Sequence, residues 1–198
     1  MSSNQSAADP ASQTCKVCGV PAASRCSRCV WAYYCGKEHQ AADWEAHKKQ
    51  CFPKDGAIFI VKGILLPVDA EEPRIVNVEC KVSREIPDDD ETILYHVDFK
   101  QFLGDGCHSR QYISTMGYGG PPLEKGHGIS LFIRDNYLND GSKLNRCIAN
   151  VTDGSTPHTW AGPVLALKQE SYYSGRYIDA SMADMRAIVM HLKAYGRR

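Results

Sequence analysis

Six cysteines and two histidines crowd into the stretch from Cys15 to Cys51, in the spacing Cys-x2-Cys-x7-Cys-x2-Cys-x5-Cys-x3-His-x7-His-x3-Cys. The other three cysteines, Cys80, Cys107 and Cys147, are scattered singly. Clustering of this kind is the mark of a metal site, because several soft donors must converge on one ion. Each Cys-x2-Cys pair suits a tight turn that aims two sulfurs at the same ion. Cys35 with His39, and His47 with Cys51, are each four residues apart, and on a helix such pairs share a face about one turn apart. The eight donors Cys15, Cys18, Cys26, Cys29, Cys35, His39, His47 and Cys51 therefore make two four-coordinate sites. Closed sites leave no position for water, so the two zinc ions expected here are structural. Spacing alone leaves open whether the donors pair sequentially or interleave.

The segment resembles the MYND zinc-finger family. The likeness runs through Cys15-Lys16-Val17-Cys18, Cys26-Ser27-Arg28-Cys29 and Tyr34-Cys35-Gly36-Lys37-Glu38-His39-Gln40, and continues with Trp44, His47-Lys48-Lys49 and Cys51. It departs from the family at His39, where cysteine is usual. Histidine is a competent zinc ligand, so a Cys3His site is expected there. The resemblance implies interleaved sites: Cys15, Cys18, Cys35 and His39 on one zinc, and Cys26, Cys29, His47 and Cys51 on the other. Interleaving also ties hairpin to helix in a segment too short for a true core. It further implies a protein-interaction module, with relatives that bind short proline-containing peptides. The positions that match their peptide site are Ser27, Gln40 and Trp44. Helical spacing independently puts Gln40, Trp44, His47 and Cys51 on one face. There Trp44 serves either to shield the metal or to meet a peptide.

Charge gives little direction beyond this. The chain carries 23 basic and 23 acidic side chains, and without a concentrated basic surface nucleic acid is not an expected partner. Arg25, Arg28, Lys37, Lys48 and Lys49 give the finger a modest basic excess, read as a solvated face. No run approaches the roughly 18 apolar residues of a membrane span. Residues 1–13 are polar, without the apolar centre of a signal peptide, and read as a disordered leader. The expectation is an intracellular protein, nuclear or cytoplasmic, with no membrane partner.

From residue 57 the pattern changes to short apolar runs between turn residues. Ile58-Phe59-Ile60-Val61 reads as a buried strand. Val76 to Val82 alternates cleanly, as do Ile93, Tyr95, Val97 and Phe99, and then Ile129, Leu131 and Ile133. Pro87 to Glu91, Gly117 to Pro122 and Asn139 to Ser142 read as connections. One helix is expected near the end, with Ser181 and Asp184 as a capping box. Met182, Met185, Ile188, Val189 and Leu192 form its apolar face, and Gly196 its stop. The fold class is thus a small zinc-stabilised α/β finger, residues 15–51, followed by an α+β, mainly β, domain over residues 57–198.

The reading that follows is a zinc-binding adaptor or regulatory protein that recognises a partner through its finger. The alternative is an enzyme with its active site in residues 57–198 and the finger as a recruiting arm. Cys107, after the Gly104-Asp105-Gly106 turn, is the nucleophile such an enzyme would offer, with His96, His108, His127 or His158 as a base. The SET methyltransferases that contain a MYND finger show cofactor and catalytic motifs that are not found here. Gly117-Tyr118-Gly119-Gly120 lacks the Lys-Ser/Thr of a phosphate loop. No catalytic residue is assigned.

Overall fold

A computed structural model describes residues 14–27, 29, 32–48, 51, 55–85, 92–171 and 175–196. The chain separates into two compact units, Met1–Ala57 and Ile58–Arg198. The leader expected over 1–13, the Pro87–Glu91 connection, and Arg28, Trp31 and Lys49 lie outside the described residues.

In the first unit, two short strands, β1 (Ser24–Arg25) and β2 (Tyr33–Tyr34), pair antiparallel and lead into helix α1 (Lys37–His47). The apolar cluster beneath them is small: Ala32, Tyr34 and the cysteine sulfurs, with Trp44 packed against it. Such a cluster is far below what a domain needs to fold by burial alone. Cys35 precedes α1 and Cys51 follows it, so neither four-residue donor pair lies wholly on the helix, contrary to the spacing argument. The helix supplies His39 and His47, while Cys35 lies just ahead of it and Cys51 beyond its end.

The second unit is a mainly β half-barrel that ends in a helix. Its strands are β3 (Ile58–Leu66), β4 (Arg74–Glu85), β5 (Thr92–Val97), β6 (His108–Ile113), β7 (Gly128–Arg134), β8 (Val164–Gln169) and β9 (Tyr177–Ile178). Their order is β5-β4-β3-β8-β7-β6, every pairing is antiparallel, and β9 pairs with β8. Strand β8 returns between the β3–β4–β5 meander and the β6–β7 hairpin. It pairs with β3 only at Leu66↔Val164, Leu65↔Leu165 and Ile64↔Ala166. Further along, β9 takes up Lys168 and Gln169, and the next residues tie back to β3. The Lys62 amide donates to Asp179 Oδ1 (2.8 Å), and the Ala180 amide donates to Lys62 O (2.8 Å).

Both faces of the sheet are covered in its middle. Ile64, Leu66, Ile129, Leu131, Val164 and Ala166 turn to one side. There helix α3 (Arg146–Val151) contributes Cys147 and Ile148, and helix α4 (Met185–Ala194) contributes Ala187, Ile188 and Leu192. On the other side Val61, Val78, Cys80, Phe132, Leu165 and Leu167 gather with Tyr177 and with Leu103 of the short helix α2 (Lys100–Leu103). Residues of both parities are buried in β7 and β8, so the alternation expected for Ile129, Leu131 and Ile133 does not leave an open face: Ser130 and Phe132 between them are buried as well. At Gly63 the backbone comes so close to β8 that an added Cβ would sit 2.8 Å from Leu167 Cδ2 and 3.2 Å from Ala166 O.

Several elements differ from the sequence expectation. Ile58 and Ile60 are 56% and 64% exposed, so the start of β3 is not a buried strand. They share the Lys62 side of β3, ahead of the Ile64–Leu66 segment that the helices cover. Phe99 lies beyond β5, at the start of α2, and packs its ring 4.4 Å from that of Phe132. The capping box is present, with the Ser181 amide donating to Asp184 Oδ2 (2.8 Å), but it opens a 3-10 turn ahead of α4. Met182 is consequently exposed and Ala187 takes its place on the buried face. Gly196, with φ +86°, follows the helix in the left-handed region that favours glycine.

Sequence reading missed α3. Its signal was Asn145, a cap whose Oδ1 accepts from the Ile148 amide (2.8 Å). The same buried side chain donates from Nδ2 to Leu66 O (3.0 Å) and Gly162 O (2.8 Å), locking the helix to the end of β3.

Candidate metal centre and its outer surface

The finger's donors are assembled by hydrogen-bonded turns. Gly19 N donates to Cys15 O (2.8 Å) with Gly19 at φ +73°, which curls Cys15–Cys18 into a knuckle. The Cys26 amide donates to Ala32 O (2.7 Å) and places the second knuckle across the β1–β2 pair. Lys16 N donates to Tyr33 O (2.9 Å), so the first knuckle docks on β2. Tyr34, fully buried, donates its hydroxyl to Asp43 Oδ2 (2.8 Å) on α1, and the same oxygen meets Lys16 Nζ at 3.1 Å. One carboxylate thus joins knuckle, strand and helix.

These turns bring together two groups of four, Cys15, Cys18, Cys35 and His39, and Cys26, Cys29, His47 and Cys51. Within each group all donor atoms lie within 4.8 Å of one another. A tetrahedron with metal–sulfur bonds of about 2.3 Å has edges of about 3.8 Å between sulfurs, and slightly less to a nitrogen. Cys18 and Cys35 sulfurs stand 3.7 Å apart, as do those of Cys26 and Cys51. Cys15 Sγ is 3.6 Å from His39 Nδ1, and Cys29 Sγ is 3.5 Å from His47 Nε2. Cys35 Sγ to His39 Nδ1, at 3.0 Å, is tighter than a tetrahedral edge. The donor set therefore fits zinc in size and chemistry.

The electrostatics point the same way. Burial pushes the Cys51 thiol up to about 12, helped by the sulfurs of Cys26 and Cys29. Burial with the Cys18 and Cys15 sulfurs raises Cys35 to about 11. Burial also raises Cys15, but the backbone amides of Cys18, Cys35 and Val17, with His39, outweigh it and bring that thiol down to about 6. Crowded thiolates repel, and without a cation they cannot all ionise. A divalent ion removes that conflict by displacing the protons. The two groups differ in access: all four donors of the second are buried, whereas Cys18 of the first is exposed.

Outside this core, Lys37, Gln40, Ala41 and Trp44 line a hollow of about 420 Å³ on the face of α1. Trp44 also stands edge-on to His47, ring centroids 6.1 Å apart. It is half-buried, so it shields the metal side and presents a surface together. Ser27 is exposed and does not line this hollow.

In the second unit, Cys80 is buried, and burial raises its thiol to about 12. Cys107 is exposed beside Gly104 and Gly106, both at positive φ. Three of the four histidines considered with it are engaged elsewhere. His96 meets Ser83 Oγ (2.5 Å), His108 meets Gly104 O (3.3 Å) and His158 meets the Tyr137 hydroxyl. No described hydrogen bond joins a histidine to Cys107.

Residues 15–51 match the family described as MYND finger, and with two interleaved Cys/His clusters this segment is a MYND-type zinc finger. A finger of this type is capable of protein interaction, and it is not itself catalytic. The chain is similar to programmed cell death protein 2 of Bos taurus, 38% identical over 80 residues, 39% of this chain and 22% of that protein. The Rattus norvegicus protein of the same name is 52% identical over 42 residues, 21% of this chain and 12% of the relative. Egl nine homolog 1 of Homo sapiens is 47% identical over 47 residues, 23% of this chain and 11% of the relative. The chain thus spans less than a quarter of each of these relatives. No solved structure matches the chain closely enough to be counted similar. Among the described residues no helix is long and apolar enough to cross a membrane.

Proposed function

We propose that this protein is an adaptor that captures a short proline-containing peptide on a metal-held finger. Cys15, Cys18, Cys35 and His39 ligate one structural zinc, and Cys26, Cys29, His47 and Cys51 ligate the other. The peptide lies along the hairpin and against α1, where Gln40 and Trp44 meet it and Ser27 flanks it. The observation that carries the reading is the hollow shared by Gln40 and Trp44, one turn apart on α1. A flat indole beside an amide suits proline, whose backbone is already extended and costs little to order. A surface this small supports affinity on the order of micromolar. Residues 57–198 fold on their own and act with the finger by binding.

The test uses Trp44→Ala and Gln40→Ala proteins shown to retain two zinc ions. Titrated with proline-containing peptides that bind the wild type, both variants lose binding at least tenfold. Unchanged affinity in both would remove this surface from consideration.

A further inference from the structure

Asp43 stands between the two donor clusters. On α1 it follows His39 by four residues and precedes His47 by four, and residues at that spacing share one face of a helix. His39 belongs to the first group of donors and His47 to the second. One helix therefore carries a carboxylate midway between a donor of each group.

The same carboxylate holds two residues that adjoin other donors of the first group. The Tyr34 hydroxyl donates to Asp43 Oδ2 (2.8 Å), and Lys16 Nζ meets that oxygen at 3.1 Å. Cys35 follows Tyr34 in the chain, and Cys15 precedes Lys16. The Tyr34 ring reaches the second group as well, edge-on to His47 with centroids 6.1 Å apart. Tyr34 is fully buried and the Asp43 side chain is 15% exposed. Charge-assisted bonds shielded in this way are stronger than exposed ones and act together. Lys16 lies at the open side, 38% exposed, so its pair adds less than the bond to Tyr34.

The finger offers few other routes from one cluster to the other. Besides the cysteines, its apolar cluster holds only Ala32, Tyr34 and Trp44. The competing route is the backbone itself, because the donors of the two groups alternate along the chain.

We propose that Asp43 is a positioning residue that couples the two metal sites, so that filling either group of donors raises the zinc affinity of the other. An ion on Cys15, Cys18, Cys35 and His39 fixes the backbone at Cys15 and Cys35, and with it Lys16 and Tyr34. Those two hold Asp43, and so the turn of α1 that carries His47. The effect is reciprocal, as any coupling between binding sites must be. It rests on the two-ion assignment made above and is independent of the peptide surface.

Equilibration of the zinc-loaded full chain against rising chelator, read by native mass spectrometry, gives the populations that hold two, one and no ions. In the wild type the second ion should bind at least about fivefold more tightly than independent sites would allow, leaving the one-ion form scarce. Asp43→Ala should still take up two ions at excess zinc, but that fivefold advantage should vanish and one-ion protein should accumulate. Asp43→Asn keeps an acceptor for Tyr34 without the charge, and should restore part of the advantage. Asp43→Ala leaves the buried Tyr34 hydroxyl unpaired, so the double variant with Tyr34→Phe, which removes both partners, repeats the measurement without that cost. An Asp43 that merely stabilises the finger would weaken both ions alike and leave the advantage intact, and that result overturns the coupling. So does a wild type without the advantage, or failure of both alanine variants to take up two ions at excess zinc. A wild type that never holds two ions would instead remove the two-ion assignment, and the coupling with it.

Discussion

The two units reach stability by opposite routes. In the finger, strands of two residues and one short helix enclose little besides Tyr34, Ala32 and sulfur, so coordination must supply the organising energy. The half-barrel buries Leu131, Leu165, Leu167, Ile188 and Leu192 on two faces of one sheet and needs no ion for that purpose. One segment is specified by where its donors fall, the other by which side of each strand is apolar. A perturbation that destroys the first should therefore leave the second standing.

Removing zinc is the largest such perturbation. Structural zinc contributes on the order of 10 kcal/mol per site in small fingers, far more than the finger's apolar cluster can replace. Chelation should abolish the amide dispersion of residues 14–51 in an NMR spectrum, while residues 58–171 keep theirs. The first cluster, with Cys18 exposed, should release its ion sooner than the wholly buried second.

The converse perturbation is a cavity in the half-barrel. Leu167→Ala, at a fully buried site, should cost about 2–5 kcal/mol by chemical denaturation without changing zinc content. Gly63→Ala works by overfilling instead. Its new Cβ would meet Leu167 and the Ala166 carbonyl, at a cost of about 1–3 kcal/mol.

Two smaller effects sharpen the contrast. Tyr34→Phe removes the hydroxyl that joins β2 to Asp43, leaving Lys16 on that carboxylate. It should lower the finger's thermal stability by about 1 kcal/mol with both metals retained. Burial depresses the folded-state pKa of His191, which contacts Gln111 Oε1 at 3.0 Å. The unfolded chain then binds the proton more readily. Stability of the second unit from this group is complete above the ordinary histidine value and is lost as pH falls below it. His191→Gln should flatten that part of the pH–stability curve.

The same contrast explains what could be read from the residues. Donor spacing exposed the finger because metal geometry acts over a few residues and tolerates little variation. It misjudged the carrier of the pairs, since Cys35 and Cys51 both lie outside α1, so helical rise is not what spaces them from His39 and His47. In the half-barrel, alternation located β4 at Val76–Val82, where one face is packed and the other open. It failed at Ile58 and Ile60, whose apolar character does not reveal that the helices begin to cover β3 only at Ile64. It gave no sign of β8, because Val164 to Leu167 is buried on both faces and so has no alternation. The Asn145 cap of α3 was readable but was lost among other polar residues. On α1, helical spacing joined Gln40 to Trp44, and the two line one hollow.

Metal stoichiometry tests the central claim most directly. Native mass spectrometry of the full chain should show two zinc ions per molecule. His39→Cys should keep both, and His39→Ala should keep the ion of the wholly buried cluster while weakening or losing the other. Well-folded wild-type protein carrying one zinc or none would contradict the account.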